Sequence, residues 1–202
     1  MKIIKYEKKS NGNYLIYLDN DQKIKLHEDI ILKYKLLYKN EISSDLLLDI
    51  LKENNDYDIY NKCLKYIGVR LRSINEMKEY MERKEVSSEV IEETLTKLMK
   101  NKLLDDEIFT RAFIKDKLNF TTMGPYRIRL ELQKHKIDNN IINKYIDDID
   151  INLLESKIEK QINKLIKSNK NKPNLKNKIY HNLLNLGYSS EFIIDNLDKY
   201  NL

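Results

Sequence analysis

Three consecutive carboxylates, Asp105, Asp106 and Glu107, are the first residues whose type and spacing suggest chemistry. Adjacent acids can hold a hard cation such as magnesium or divide acid and base roles between them. Here they stand directly before the apolar pattern Ile108, Phe109, Ala112 and Phe113. Negative charge at that place meets the free N–H groups of a helix start, which explains the cluster better than nuclease-type catalysis. His27, His135 and His181 each lack a second histidine or cysteine at metal-ligand spacing. His135 falls beside the Ile128/Leu132 stripe, as a packed histidine would. Cys63 is the single cysteine, so no internal disulfide can form, and its neighbours Leu64 and Ile67 suit a buried structural thiol. No GxxxxGK[ST] or GxGxxG loop is present, and no nucleophile–base pair can be identified. These residues predict a protein that is not an enzyme and that uses no cofactor or metal.

The remaining chemistry is cationic. All six arginines lie in one stretch: Arg70, Arg72, Arg83, Arg111, Arg127 and Arg129. Elsewhere lysine is the default cation, so arginine marks positions where a flat, forked donor matters. On a helical projection of 125–135, Ile128 and Leu132 centre the buried stripe. Arg127 and Lys134 share one flank, and Arg129 lies on the other. The six arginines and Lys134 are therefore the candidate partner-binding residues. The alternative for Arg127 is a local pair with Glu131 one turn on. Tyr126 beside Arg127 and Arg129 would suit nucleic acid, although the 14 tyrosines are spread along the chain as amphipathic packing residues.

The elements that position these groups are mostly helical. Of 202 residues, 41% are hydrophobic and 34% charged, against about 25% charged in an ordinary globular domain. Such a share fits helices that keep one face wet. Four Gly and two Pro leave little to break a helical chain. The start Met1-Lys2-Ile3-Ile4-Lys5 is interrupted by charge too early for a signal peptide, and no apolar run approaches the roughly 18 residues of a membrane span. With no disulfide framework, a cytoplasmic address is expected.

Residues 2–27 alternate with period two: Tyr14, Ile16 and Leu18 on one face, then Ile24 and Leu26. Turn clusters at Ser10–Asn13 and Asp19–Asp21 make this a small antiparallel hairpin or meander. Two linking helices follow in 28–56. The first carries Ile30, Ile31, Tyr34 and Leu37; the second is capped by Ser43 or Ser44; Asn54-Asn55-Asp56 reads as a short linker. Beyond it the chain repeats. Val86-Ser87-Ser88-Glu89-Val90-Ile91, Ile137-Asp138-Asn139-Asn140-Ile141-Ile142 and Tyr188-Ser189-Ser190-Glu191-Phe192-Ile193 each place an apolar residue, a helix cap, two polar and two apolar residues. Ser87 to Asp138 is 51 positions, and Asp138 to Ser189 is 51 again. The predicted fold is mainly α: three tandem three-helix repeats, at 57–104, 105–148 and 149–202, preceded by a β segment (1–27) and linking helices (28–56). Ser73 with Glu76 forms a capping box, and Gly124-Pro125 puts proline at a first helical position. Side by side at about 8–10 Å, nine such helices would reach on the order of 70–90 Å.

With these motifs in hand, the chain resembles the RecX family. The stretch 66–77 (YIGVRLRSINEM) is similar to its opening motif. Residues 104–113 (LDDEIFTRAF) resemble its (L)DDxxFAxxF pattern, and 124–132 (GPYRIRLEL) its GPxRIRxEL segment. The three occur in the family's order and spacing, and the resemblance covers roughly 57–200. The third repeat departs further, Lys178 and Ile179 only loosely echoing Arg127 and Ile128. The N-terminal β segment resembles the extension of longer Gram-positive-type members. The resemblance implies a monomeric RecA regulator that lodges in the groove of the RecA–DNA filament and inhibits filament extension, ATP hydrolysis and strand exchange. It leaves open direct contact with single- or double-stranded DNA. The competing expectation is a helical DNA-binding protein that acts without RecA.

Overall fold

The computed structural model describes residues 1–10, 12–169 and 174–200. Asn11 of the first turn cluster and the ends of the third repeat at 170–173 and 201–202 lie outside the described residues. The chain forms two compact units. One comprises Met1–Arg70 and Met81–Thr96; the other comprises Leu71–Tyr80 and the chain from Lys97 onward.

The first unit opens with the meander β1 (Ile3–Lys9), β2 (Asn13–Leu18) and β3 (Lys23–His27), antiparallel in the order β1-β2-β3. Ile16 pairs with Tyr6 on one side and Ile24 on the other. The period-two pattern therefore puts Ile16, Leu18, Ile24 and Leu26 on one buried face. Helix α1 (Glu28–Lys33), a 3-10 turn (Leu36–Tyr38) and α2 (Ser44–Val69) follow. Ile30, Ile31, Leu36, Ile42, Leu47 and Ile50 close the core over the sheet. Ser43 is the cap of α2, its hydroxyl accepting from Leu46 N–H at 3.3 Å.

The expected linker at Asn54-Asn55-Asp56 is not a break, because α2 runs through it as one helix of 26 residues. The second linking helix and the first helix of repeat 1 are thus continuous. The reason is a tertiary contact made by Asn54, whose Oδ1 accepts the His27 backbone N–H at 2.8 Å. Tyr57, one turn on, sets its ring 4.4 Å from the His27 ring, tilted by 37°. Asparagine costs roughly 0.7 kcal/mol in a helix interior. A hydrogen bond to an otherwise orphaned strand N–H offsets this.

Beyond α2 come α3 (Ile74–Glu82), α4 (Ser88–Lys100), α5 (Asp106–Phe120), α6 (Pro125–Lys134), α7 (Asn139–Asp147), α8 (Ile151–Ser168), α9 (Leu175–Leu186) and α10 (Ser190–Leu197). The 51-residue period is visible in the backbone itself. Glu85, Lys136 and Gly187 all have positive φ, at 57°, 54° and 92°. After each, the next N–H bonds back across the helix end: Val86 to Met81, Ile137 to Leu132, Tyr188 to Leu183. This is the Schellman ending, three times at equivalent positions. Met77, Ile128 and Ile179 are buried at matching places, as are Ile91, Ile142 and Ile193.

In the second unit, Phe109, Ile114, Leu118, Ile128, Leu132, Ile142 and Ile146 build the core of repeat 2. Ile158, Ile162, Ile179, Leu183, Ile193 and Leu197 build that of repeat 3, and Phe192 packs against both. The seam between them is backbone on backbone. Gly124 N–H donates to Leu186 O at 2.7 Å and Tyr126 N–H to Gly187 O at 3.0 Å. The free N–H groups that start α6 thus meet the free carbonyls that end α9, and each satisfies the other. Lys157 on α8 adds a second tie, its ammonium donating to the Leu118 and Thr121 carbonyls at the C-terminal end of α5.

Candidate partner-binding surface on the second repeat

Each of the carboxylates at 105–107 is engaged within the fold. Asp105 caps α5, accepting from Glu107 N–H at 2.8 Å and Ile108 N–H at 3.0 Å. Asp106 reaches back to the start of α3 and accepts from Ile74 N–H at 2.9 Å. Burial raises the Asp106 carboxyl above its ordinary pKa, against the pull of that N–H. Glu107 takes the Tyr145 hydroxyl and the Lys144 ammonium, and these two bonds, the hydroxyl first, hold its carboxyl below the usual range. The capping box also forms: Ser73 Oγ accepts from Glu76 N–H at 3.1 Å and Glu76 Oε2 accepts from Ser73 N–H at 3.2 Å. His135 is packed, edge-on to Phe109 and Phe113 at 5.2 and 5.3 Å, with Nδ1 3.7 Å from Glu76 Oε1. Cys63 is buried, and burial pushes its thiol up to about 11.

The candidate cations separate into groups. Arg70 and Arg83 are exposed in the first unit, at the end of α2 and between α3 and α4. Arg72 is half-buried in the second unit, ahead of α3. Arg111 lies on α5, and Arg127, Arg129 and Lys134 lie on α6; the two helices share the core of Phe109, Ile128 and Leu132. Arg111 is exposed and lies 5.8 Å from the centre of the Tyr145 ring.

Within α6 the local alternative for Arg127, an ion pair with Glu131 one turn on, is not formed; Glu131 takes a cation three residues on instead. Glu131 pairs with Lys134 at 2.7 Å, and that hydrogen bond is the main reason its carboxyl lies below its ordinary pKa. Arg129 turns to α7, donating to Asn143 and standing 3.8 Å from Asp147; its side chain is 27% exposed. Arg127 is exposed and makes no ion pair or side-chain hydrogen bond with the described residues. Of the α6 cations, it alone presents to those residues a guanidinium with all its donors unspent. Ile128 and Leu132 beneath it are fully buried, so the flank is held on a rigid helix.

Next to Arg127, Tyr126 is 62% exposed. It borders a cavity of about 600 Å³ with Pro125, Arg129, Leu184, Tyr188 and Phe192. Sequence reasoning missed this wall because it joins residues of two repeats. It also missed the Gly124–Gly187 seam, where the available signal was a glycine at 187 in place of Lys136 one period earlier. Among the described residues, no helix is long and apolar enough to cross a membrane.

Comparison with known proteins places this geometry. Residues 60–98 match the first three-helix domain of RecX, and residues 105–146 match its second. Regulatory protein RecX of Oceanobacillus iheyensis is 26% identical over 194 residues, covering 93% of this chain and 71% of the relative. The corresponding protein of Halalkalibacterium halodurans is 27% identical over 198 residues, covering 94% and 74%. A crystal structure of regulatory protein RecX superimposes with a TM-score of 0.81 at 22% identity, over 98% of this chain and 99% of the other. That of RecX from Lactobacillus salivarius gives 0.70 at 25% identity, over 73% and 97%. Two consecutive family domains, relatives along nearly the whole length and the same fold make one assignment: this chain belongs to the RecX family of regulatory proteins.

Proposed function

We propose that this chain binds the RecA–DNA filament and inhibits the recombinase and its ATPase, acting as a cytoplasmic monomer without catalysis of its own. The observation that carries the reading is the pair of consecutive RecX three-helix domains at 60–98 and 105–146. Physical features support it. A repeated unit offers similar faces at regular intervals, which suits a target that itself repeats. Contacts linked along one chain gain affinity through effective concentration. The carboxylates that would have to serve a nuclease are already engaged by helix starts, Tyr145 and Lys144. Arg70, Arg72, Arg83, Arg111, Arg127, Arg129 and Lys134 are the proposed contacts, with Arg127 foremost because its guanidinium makes no ion pair or side-chain hydrogen bond with the described residues.

The test is a titration of full-length chain into RecA hydrolysing ATP on single-stranded DNA. Hydrolysis is expected to fall with increasing chain and to approach a low plateau. An unchanged rate at large excess over RecA would refute the proposal. A second reading, binding to DNA without RecA, is favoured by one observation, an unpaired lysine face on the third repeat.

A further inference from the structure

Helix α8 is polarised across its width. At about 100° per residue, Lys157, Lys160, Lys164 and Lys167 fall within roughly 80° of one another. Leu154, Ile158 and Ile162 occupy the buried face, and Glu155 and Glu159 the far flank. There the acids meet α10: Glu155 pairs with Lys199 at 3.5 Å, and both line a groove with Asn196 and Tyr200. The lysine side is left without a counter-charge among the described residues. Lys160, Lys164 and Lys167 are exposed and make no ion pair or side-chain hydrogen bond with those residues. The crowding registers on Lys157, whose ammonium is held below its ordinary pKa by burial first and by the charge of Lys160 second.

The face continues onto α9. Gln161 donates to Asn182 at 3.5 Å, which sets that edge of α8 beside α9. One turn before Asn182 stands Lys178, also exposed and unpaired among the described residues. Leu175–Leu186 contains no acidic residue. The surface is thus a line of lysines edged by amides, with no exposed large apolar side chain between them among the described residues.

We propose that this α8–α9 face binds the phosphodiester backbone of a nucleic acid. A line of ammonium groups over about 10 Å of helix rise matches a linear polyanion. Lysine is a point charge suited to phosphate contact without base readout. A protein partner would ask for apolar or aromatic anchors at the centre of the patch, where the described residues supply none. The proposal does not depend on RecA, because the binding is to naked nucleic acid.

The experiment measures full-length chain binding to a fluorescent single-stranded oligonucleotide, and to a duplex, across a salt series. The variants are Lys160→Gln/Lys164→Gln/Lys167→Gln, and the control Lys2→Gln/Lys23→Gln/Lys25→Gln, which removes equal charge from the β-meander. Removing three phosphate contacts should flatten the slope of log K against log salt by about 2 on single strands. At low salt, roughly 50 mM, the α8 variant should bind at least tenfold more weakly, with the control near wild type and unchanged circular dichroism for both. Absence of wild-type binding, or equal losses in the α8 and control variants, would overturn the proposal. So would poly-glutamate competing as well as DNA charge for charge, which would point to an acidic protein surface. If the triple variant were misfolded, Lys164→Gln alone should still flatten the slope by about 0.7, and a slope equal to wild type would overturn the proposal.

Discussion

Gly124→Ala is expected to destabilise the chain by on the order of 2–5 kcal/mol, a loss of roughly 5–15 °C in Tm. A Cβ at this position would stand 2.6 Å from the carbonyl carbon and oxygen of Gly187 and 2.7 Å from Tyr188 N. All three are backbone atoms and cannot swing aside. The seam must open, which breaks the bonds from Gly124 N–H to Leu186 O and from Tyr126 N–H to Gly187 O. Overpacking costs about 1–3 kcal/mol and each lost bond about 0.5–1.5. Gly187 is constrained from the other side: φ is +92°, and a Cβ would come within 2.4 Å of Arg127 N. Gly68 provides the internal contrast, since a Cβ there meets nothing within 4 Å. Gly68→Ala in α2 should hold or raise stability by up to about 1 kcal/mol. Thermal unfolding followed by circular dichroism distinguishes the two. A Gly124→Ala protein that melts with wild type would show that the seam is not a structural constraint.

Arg127→Glu is expected to weaken inhibition of RecA ATPase at least tenfold, about 1.4 kcal/mol, with helix content unchanged. Arg127 is the α6 cation that makes no ion pair or side-chain hydrogen bond with the described residues, and only the more distant charge of Glu131 acts on it. Reversal of its charge should therefore act at the partner and not on the fold. Lys134→Gln should change potency less, because Lys134 already pairs with Glu131. Arg129 is a poorer probe, since it holds Asn143 and faces Asp147 on α7. A folded Arg127→Glu protein with wild-type half-inhibitory concentration would remove Arg127 from the contact surface.

Much of this fold is legible in the sequence wherever a local rule and the tertiary role of a residue agree. The caps Asp105, Asp138 and Ser189 start helices as their types predict, each accepting from a first-turn N–H. The alternation of Ile16, Leu18, Ile24 and Leu26 marks the buried face of the sheet. The equal spacing of Glu85, Lys136 and Gly187 shows why the period is strict: each repeat ends its second helix with a left-handed residue at the same position.

The expectations that fail have a common cause. Asn54-Asn55-Asp56 has turn composition, but the asparagine serves a strand edge that sequence cannot place beside it. The local pair that is the alternative for Arg127 does not form either, because Lys134 is the nearer cation for Glu131. The proline after Gly124 accounts for that glycine locally, so nothing in the sequence calls for a second role. The lysines at 157, 160, 164 and 167 are readable as a stripe. Their want of counter-charges follows only from seeing Glu155 and Glu159 turned toward α10.

The most direct test of the central claim is co-sedimentation of the full-length chain with RecA filaments assembled on single-stranded DNA, with the same DNA free of RecA as control. The proposed function predicts that the chain pellets with filaments to a saturable stoichiometry, and that it does so at salt concentrations where retention by naked DNA has been lost. A chain that stays in the supernatant with filaments, or that is recovered equally with naked DNA across the salt range, would contradict the assignment of the RecA filament as its partner.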